Sequence, residues 1–272
     1  MYSAVILGRW WLRPAFGIAG SVMALLLVAL PVKAASPSFE VEIHRAQAFD
    51  PDSGALVYSQ EHRYLARNGQ PVSAEVVYHD ADGKLYARKT LDFSKSTYAP
   101  FFETRDVKNQ YREAFVPAAN EGEGTLVSGP LDGEAECGKS FERDADMVID
   151  AGFNSFLADN LETIASGDTV KFDLYLAKAC RGITFRAKLE ARQEGKLIVA
   201  IAPSNFMFRM VVGETVAEYD AKTGQLLSYV GLSDLNDADG RNLSVKIVFE
   251  PVERKAVSQA QAEELRVRVG AL

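Results

Sequence analysis

Gly133-Glu134-Ala135-Glu136-Cys137-Gly138-Lys139-Ser140 matches the pattern G-x-x-x-x-G-K-[ST]. In a phosphate-binding loop those residues set backbone amides and a lysine around a polyphosphate. The chemistry needs a buried strand before the loop and a helix opening after it. Here Ser128-Gly129-Pro130-Leu131-Asp132 precedes the match and cannot be a central strand, and Glu134 and Glu136 would bring two carboxylates against the phosphates. The segment reads as a glycine-rich connection, with no nucleotide partner.

Three histidines are the next candidates. His44, His62 and His79 fall one on each of the first three predicted strands, with Glu42 and Glu61 nearby. Adjacent antiparallel strands can bring such groups to one face, and imidazole with carboxylate suits zinc or copper. No close pair such as H-x-H or H-E-x-x-H exists, and His44 and His79 occupy the polar phase of their strands, where solvent-facing histidines are common. The reading is no metal and no cofactor. Serine, histidine and aspartate are all present for hydrolysis, but no G-x-S-x-G elbow precedes a helix. The carboxylate pairs Asp144/Asp146 and Asp237/Asp239 lie in turns or at helix starts, where aspartate bonds to nearby backbone. No catalytic residue is assigned. An envelope hydrolase or metal-dependent enzyme built on the histidine strands is the competing class.

Cys137 and Cys180 are the only cysteines. A lone pair in an oxidising compartment is usually a disulfide, and here it would close a loop of roughly 40 residues worth about 3–4 kcal/mol in the chain-entropy picture; the other reading is two free buried thiols or one exposed reactive one. The compartment is read from the N-terminus. Arg9 and Arg13 give a basic start, Ala15 to Leu30 is apolar or small throughout, and Val32 and Ala34 sit at −3 and −1 of a cut after Ala34. That is a secretory signal peptide over residues 1–34. The other reading is an uncleaved inner-membrane anchor, since Ala15–Val32, about 18 residues, approaches the lower limit for a spanning helix. No cysteine follows the apolar run, so a lipoprotein anchor is excluded there. The chain carries a net charge of −7, and cleavage would remove Arg9, Arg13 and Lys33 but no acid. An acidic chain gains nothing from counterion release on a phosphate backbone, so nucleic acid is not a partner.

The elements that must position these groups are mostly strands. Phe39–His44 alternates with period two, Asp50–Gly54 turns, and Leu56 to Leu65 is extended. Val72–Tyr78 and Leu85–Phe93 flank Asp80–Gly83 as a hairpin. One or two strands lie within 94–120, and the glycine-rich stretch Glu121–Gly133 reads as a surface loop. One helix is expected, capped by Asp150, with Phe153, Phe156, Leu157, Leu161 and Ile164 on one stripe and Gly167 at its end. Strands follow around Val170–Leu176, Ile183–Leu189, Leu197–Ala202, Val216–Tyr219, Gln225–Val230 and Val245–Phe249. A second short helix or an irregular apolar segment is read within Pro203–Val212, and a weakly amphipathic terminal helix over Ser258–Val269. The total is nine to eleven strands. Hairpins without crossover helices mean an antiparallel sheet. The expected fold is mainly β (α+β): a single domain over 35–272, a curved antiparallel sheet or half-barrel covered by one or two helices. Phe153, Phe156, Phe172, Phe185, Phe206 and Phe208, with Met207 and Met210, either form its core or line a cavity for a greasy ligand.

Ala81–Ser94 and Tyr219–Tyr229, with Gly231-Leu232-Ser233-Asp234-Leu235, resemble a group of uncharacterised exported proteins of Gram-negative bacteria. That resemblance implies a fold similar to the periplasmic lipoprotein carriers and assigns no functional residue. The function read from the chain is a non-catalytic periplasmic protein that binds a lipophilic ligand or an envelope partner, touching the membrane only through its signal segment before cleavage.

Overall fold

The computed structural model describes residues 38–269 except 121 and 145. The signal segment, with its alternative reading as a membrane anchor, lies outside the described residues. Sixteen strands form among those that are described: β1 (Phe39–Phe49), β2 (Leu56–Arg67), β3 (Gln70–Asp80), β4 (Leu85–Asp92), β5 (Phe101–Asp106), β6 (Tyr111–Pro117), β7 (Glu123–Pro130), β8 (Cys137–Glu142), β9 (Met147–Ile149), β10 (Val170–Leu176), β11 (Arg181–Gln193), β12 (Lys196–Pro203), β13 (Thr215–Asp220), β14 (Leu226–Asn236), β15 (Asn242–Phe249) and β16 (Glu253–Val257). Four helices accompany them: α1 (Gly152–Asp159), α2 (Leu161–Ala165), α3 (Phe206–Val212) and α4 (Gln259–Val269).

All the strands belong to one sheet. Its order is β8-β7-β6-β5-β4-β3-β2-β1-β15-β14-β13-β12-β11-β10-β9, and β16 pairs with the first half of β1 where β15 leaves off. Pairing is antiparallel except between β9 and β10, which run parallel. The curved antiparallel sheet read from the hairpin pattern is therefore the architecture found.

The curvature follows from which side chains meet. β4 and β14 stand five positions apart in the order, roughly 24 Å in a flat sheet at about 4.8 Å per strand. Yet Tyr86 on β4 donates to the carbonyl of Asn236 at the end of β14, and Tyr78 on β3 bonds Asp234 at 2.9 Å. The two ends of the order, β8 and β9, share no ladder. Instead the Cys137–Cys180 disulfide ties β8 to the turn between β10 and β11, with Cα atoms 5.6 Å apart. Phe141 on β8 also meets Tyr175 on β10 edge to face at 5.2 Å. The sheet is left unclosed by hydrogen bonds and is joined across its seam by side chains.

Both core clusters lie on the inner face. Direct cross-strand partners run Val199, Ala217, Tyr229, Ile247, Ala48 and Tyr58 from β12 round to β2. One cluster fills the bend of the first strands, with Tyr58, Val76, Leu91, Phe102, Phe115 and Leu126. The other lies beneath α1 and α2, where Leu157, Leu161 and Ile164 cover Phe172, Phe185, Val199 and Ile201. β9 divides them: Met147 and Ile149 join the first cluster and Val148 the second.

Four sequence expectations are corrected. The 121–133 stretch is no loop but mostly β7, with Leu126 fully buried. Gly124 permits this, because a Cβ there would stand 2.0 Å from the Phe115 ring that packs over it. The single helix is two, interrupted at Asn160, whose side-chain amide donates to the Phe156 carbonyl at 2.8 Å. Asp150 does not cap it: Ala151 is the N-cap residue and Asp150 adopts φ +46°. Finally, sixteen strands replace nine to eleven: β7 and β8 fall in stretches read as glycine-rich connections, and the short β9 and the exposed β16 carry too little hydrophobic period to be seen.

Candidate functional site

Lys89 sits on β4 in phase with Ala87 and Leu91, on the buried face of the strand, and is itself 5% exposed. A lone ammonium there costs several kcal/mol unless it is paired. Its Nζ donates to both carboxylate oxygens of Asp150, at 2.9 and 2.7 Å, and to Asp234 on β14. Burial works against the charge of Lys89, but the two carboxylates outweigh it and hold the pKa above the ordinary lysine value. Burial likewise opposes ionisation of Asp234, and Lys89 more than compensates, so that carboxyl stays below its usual range. Tyr58, through Ser233 at 2.9 Å, and Tyr78 complete the bridge between the two halves of the sheet.

The registers place Lys89 in a row of direct neighbours across eight strands: His44, His62, Val76, Lys89, Thr104, Glu113, Ser128 and Cys137. Three members of that row, His62 through Nε2, Thr104 through Oγ1 and Glu113 through Oε1, hold buried polar atoms with no hydrogen-bond partner among the described residues. Burial raises the Glu113 carboxyl to about 7 and depresses His62 to about 3. His62 is therefore neutral at physiological pH.

The other predicted chemistry separates in space. His44 and His62 are direct partners on the inner face, so His44 is half-buried rather than solvent-facing, and its Nε2 stands 3.2 Å from Glu42. His44 and Arg254 hold the Glu42 carboxyl at about 2. His79 pairs with Ser59 on the reverse face, opposite in phase to Val76 and hence to His62. No group of three metal-ligating side chains forms among the described residues. Asp144 and Asp237 accept from the backbone amides of Asp146 and Asp239 at 3.0 and 2.9 Å, which is the local backbone role expected of them. Lys139 and Ser140 lie on β8 rather than at a helix start, so the phosphate-loop pattern has no phosphate-loop geometry.

The phenylalanines divide into two sets. Phe153 and Phe156 pack on Phe172 at 5.8 and 4.9 Å, and Phe172 stacks on Phe185 at 6.1 Å, so these four build core. Phe206, Met207 and Met210 on α3 are instead 68%, 75% and 74% exposed. Between the sets run two open clefts. The first, about 540 Å³, has Met147, Phe156, Phe172 and Tyr175 as its apolar floor and Asp144, Asp146, Lys171, Asp173 and Thr184 around its rim. The second, about 490 Å³, lies beside α3 and shares Lys171 and Thr184 with the first. Both are of the size that receives a small ligand. They occur where β9 pairs only Asp173–Tyr175 of β10, which leaves Val170–Phe172 without a neighbour on that side.

No family model and no curated protein matches this sequence. Solved structures do. A β-barrel-like protein of domain of unknown function DUF1849 from Brucella abortus is 10% identical, with 79% of this chain and 97% of that one covered at a TM-score of 0.36. An outer membrane lipoprotein-sorting protein domain from Vibrio parahaemolyticus is 9% identical, with 84% and 90% covered at a TM-score of 0.26.

Lys89, Glu113 and Asp234 escaped the sequence reading, as did the rim residues Lys171 and Thr184. Lys89 did leave a signal: Ala87-x-Lys89-x-Leu91-x-Phe93 puts a cation on the apolar phase of a strand, which is rare unless it is paired. Asp234 and Asp150 left none, because turns and strand ends accept aspartate freely.

Proposed function

We propose that this chain is a non-catalytic, exported protein of the periplasm that holds an amphiphilic ligand in the cleft between α1 and β10. The observation that carries the reading is the composition of that cleft. An apolar floor of Met147, Phe156, Phe172 and Tyr175 meets a rim with one lysine, one threonine and three aspartates, the pattern of a site that buries a greasy body and orients a polar end. The reading of residues 1–34 as a signal peptide supports a place outside the cytoplasm. The Cys137–Cys180 disulfide supports the same compartment, since such bonds persist where thiols are oxidised. Lys89 spends its donors on Asp150 and Asp234, so it is not a free nucleophile or base.

Native mass spectrometry of protein recovered from the periplasm tests the reading, with an environment-sensitive lipophilic dye as a second probe. A co-purified hydrophobe is expected, and Thr184→Trp, which fills the cleft from an exposed position, should weaken dye binding about tenfold, one large apolar contact's worth. An empty protein that ignores the dye contradicts the proposal.

A further inference from the structure

We infer that α3 is a docking element that seats the protein on an anionic lipid bilayer. The inference goes beyond the ligand-binding reading and stands whether or not the α1 cleft is occupied. Phe206, Met207 and Met210 project from α3 with two thirds or more of their surface in water, an arrangement that a soluble chain rarely keeps without use. The helix is not loosely held. The Asn205 side chain accepts from the Met207 amide at 2.8 Å, and Arg209 donates through Nε and Nη2 to the Pro203 carbonyl at 3.3 and 3.2 Å. Phe208 turns toward the sheet, where the Arg181 guanidinium covers its ring at 4.8 Å. The exposed side chains are therefore presented by a fixed scaffold.

The charge around them names the partner. Lys171 and Arg181 line the cleft beside α3 together with Ser204 and Asn205, and Arg209 lies on the helix itself. This concentration of cations belongs to a chain whose net charge is −7, so the patch opposes the sign of the whole molecule. A bilayer with anionic head groups satisfies both halves of the surface: phosphodiesters meet Lys171 and Arg181, and the acyl boundary takes Phe206, Met207 and Met210. A protein interface centred on these residues would instead bury Lys171, a residue type depleted at interfaces.

Co-sedimentation of the purified protein with vesicles tests this directly. Binding to phosphatidylcholine vesicles containing phosphatidylglycerol should exceed binding to phosphatidylcholine alone, and should weaken as salt rises. Met207→Asp combined with Met210→Asp should lower it by about tenfold or more, and Arg181→Glu by about tenfold. The methionines are exposed, so their replacement leaves packing intact, and unchanged dye binding by the α3 variant separates this result from the fate of the ligand reading. Equal binding to both vesicle types, or variants that bind like the parent, overturns the inference. So does a concentration-dependent dimer that the methionine variant abolishes, because the patch would then be covered by a second copy.

Discussion

Lys89 on β4 and Asp234 on β14 are ion-paired although five strand positions separate them in the sheet. Together with Asp150, which precedes α1, they bring both halves of the sheet and its covering helices to one buried point. Lys89→Met should therefore destabilise by about 3–5 kcal/mol, since it strands two carboxylates around an apolar side chain. Adding Asp150→Asn and Asp234→Asn to that variant should recover much of the loss. Chemical denaturation of the three proteins checks both statements, and a loss below about 1 kcal/mol for Lys89→Met would mean that the bridge contributes little.

The bridge also shows where sequence legibility stopped. The hairpins of β3–β4 and β13–β14 were readable because Asp80–Gly83 and Asp220–Gly224 carry local turn chemistry beside period-two strands. The same alternation misled for β1: Glu42 and His44, on its polar phase, share the inner face with buried Ala46 and Ala48. A curved sheet closed on a polar bridge does not sort its faces into wet and dry as an open one does. Asp150 looks like a helix cap in sequence because Lys89, which bonds both of its carboxylate oxygens, lies 61 positions away. The cleft was half legible. Phe156 and Phe172 were marked as core or cavity lining and serve as both, whereas Lys171 and Thr184 gain meaning only where β9 is too short to cover β10.

Glu113 predicts a pH dependence of stability. Burial raises its folded pKa from 4.5 to about 7, so its contribution is fully present below pH 4.5 and is lost as pH rises through 7. His62 acts in the opposite sense: with a folded value near 3 against 6.5, its contribution is present above pH 6.5 and is lost as pH falls toward 3. The two slopes offset each other between pH 4.5 and 6.5. Glu113→Gln should remove one of them, leaving stability that only rises with pH over that window. At pH 8 the variant should exceed the parent by on the order of 2–3 kcal/mol. Identical denaturation profiles for parent and variant across pH would refute this.

The disulfide joins the sheet's two ends across a separation of 43 residues. Cys137→Ser with Cys180→Ser should cost about 3–4 kcal/mol, chiefly by freeing the unfolded chain. Thiol labelling of denatured, unreduced parent protein should find no free cysteine. Modification of both would mean that the bridge does not form in the isolated protein.

Two glycines separate close approach from mere flexibility. Gly124→Ala drives a methyl into the Phe115 ring, whereas nothing stands within 4 Å of the Cβ position at Gly138. The first substitution should destabilise by about 1–3 kcal/mol, the range for overpacking a filled core, and the second should change little. Comparable melting temperatures for the two variants would place β6 and β7 in a different register.

Photolabelling is the sharpest check on an amphiphile held in the cleft between α1 and β10. A long-chain alkyl amine carrying a diazirine in its chain, irradiated with the protein and mapped by peptide mass spectrometry, should mark the segments holding Met147, Phe156 and Tyr175. An excess of unlabelled alkyl amine should suppress that labelling, and Thr184→Trp should reduce it. Labels spread over the surface without competition, or confined to segments that do not line the cleft, would contradict the account.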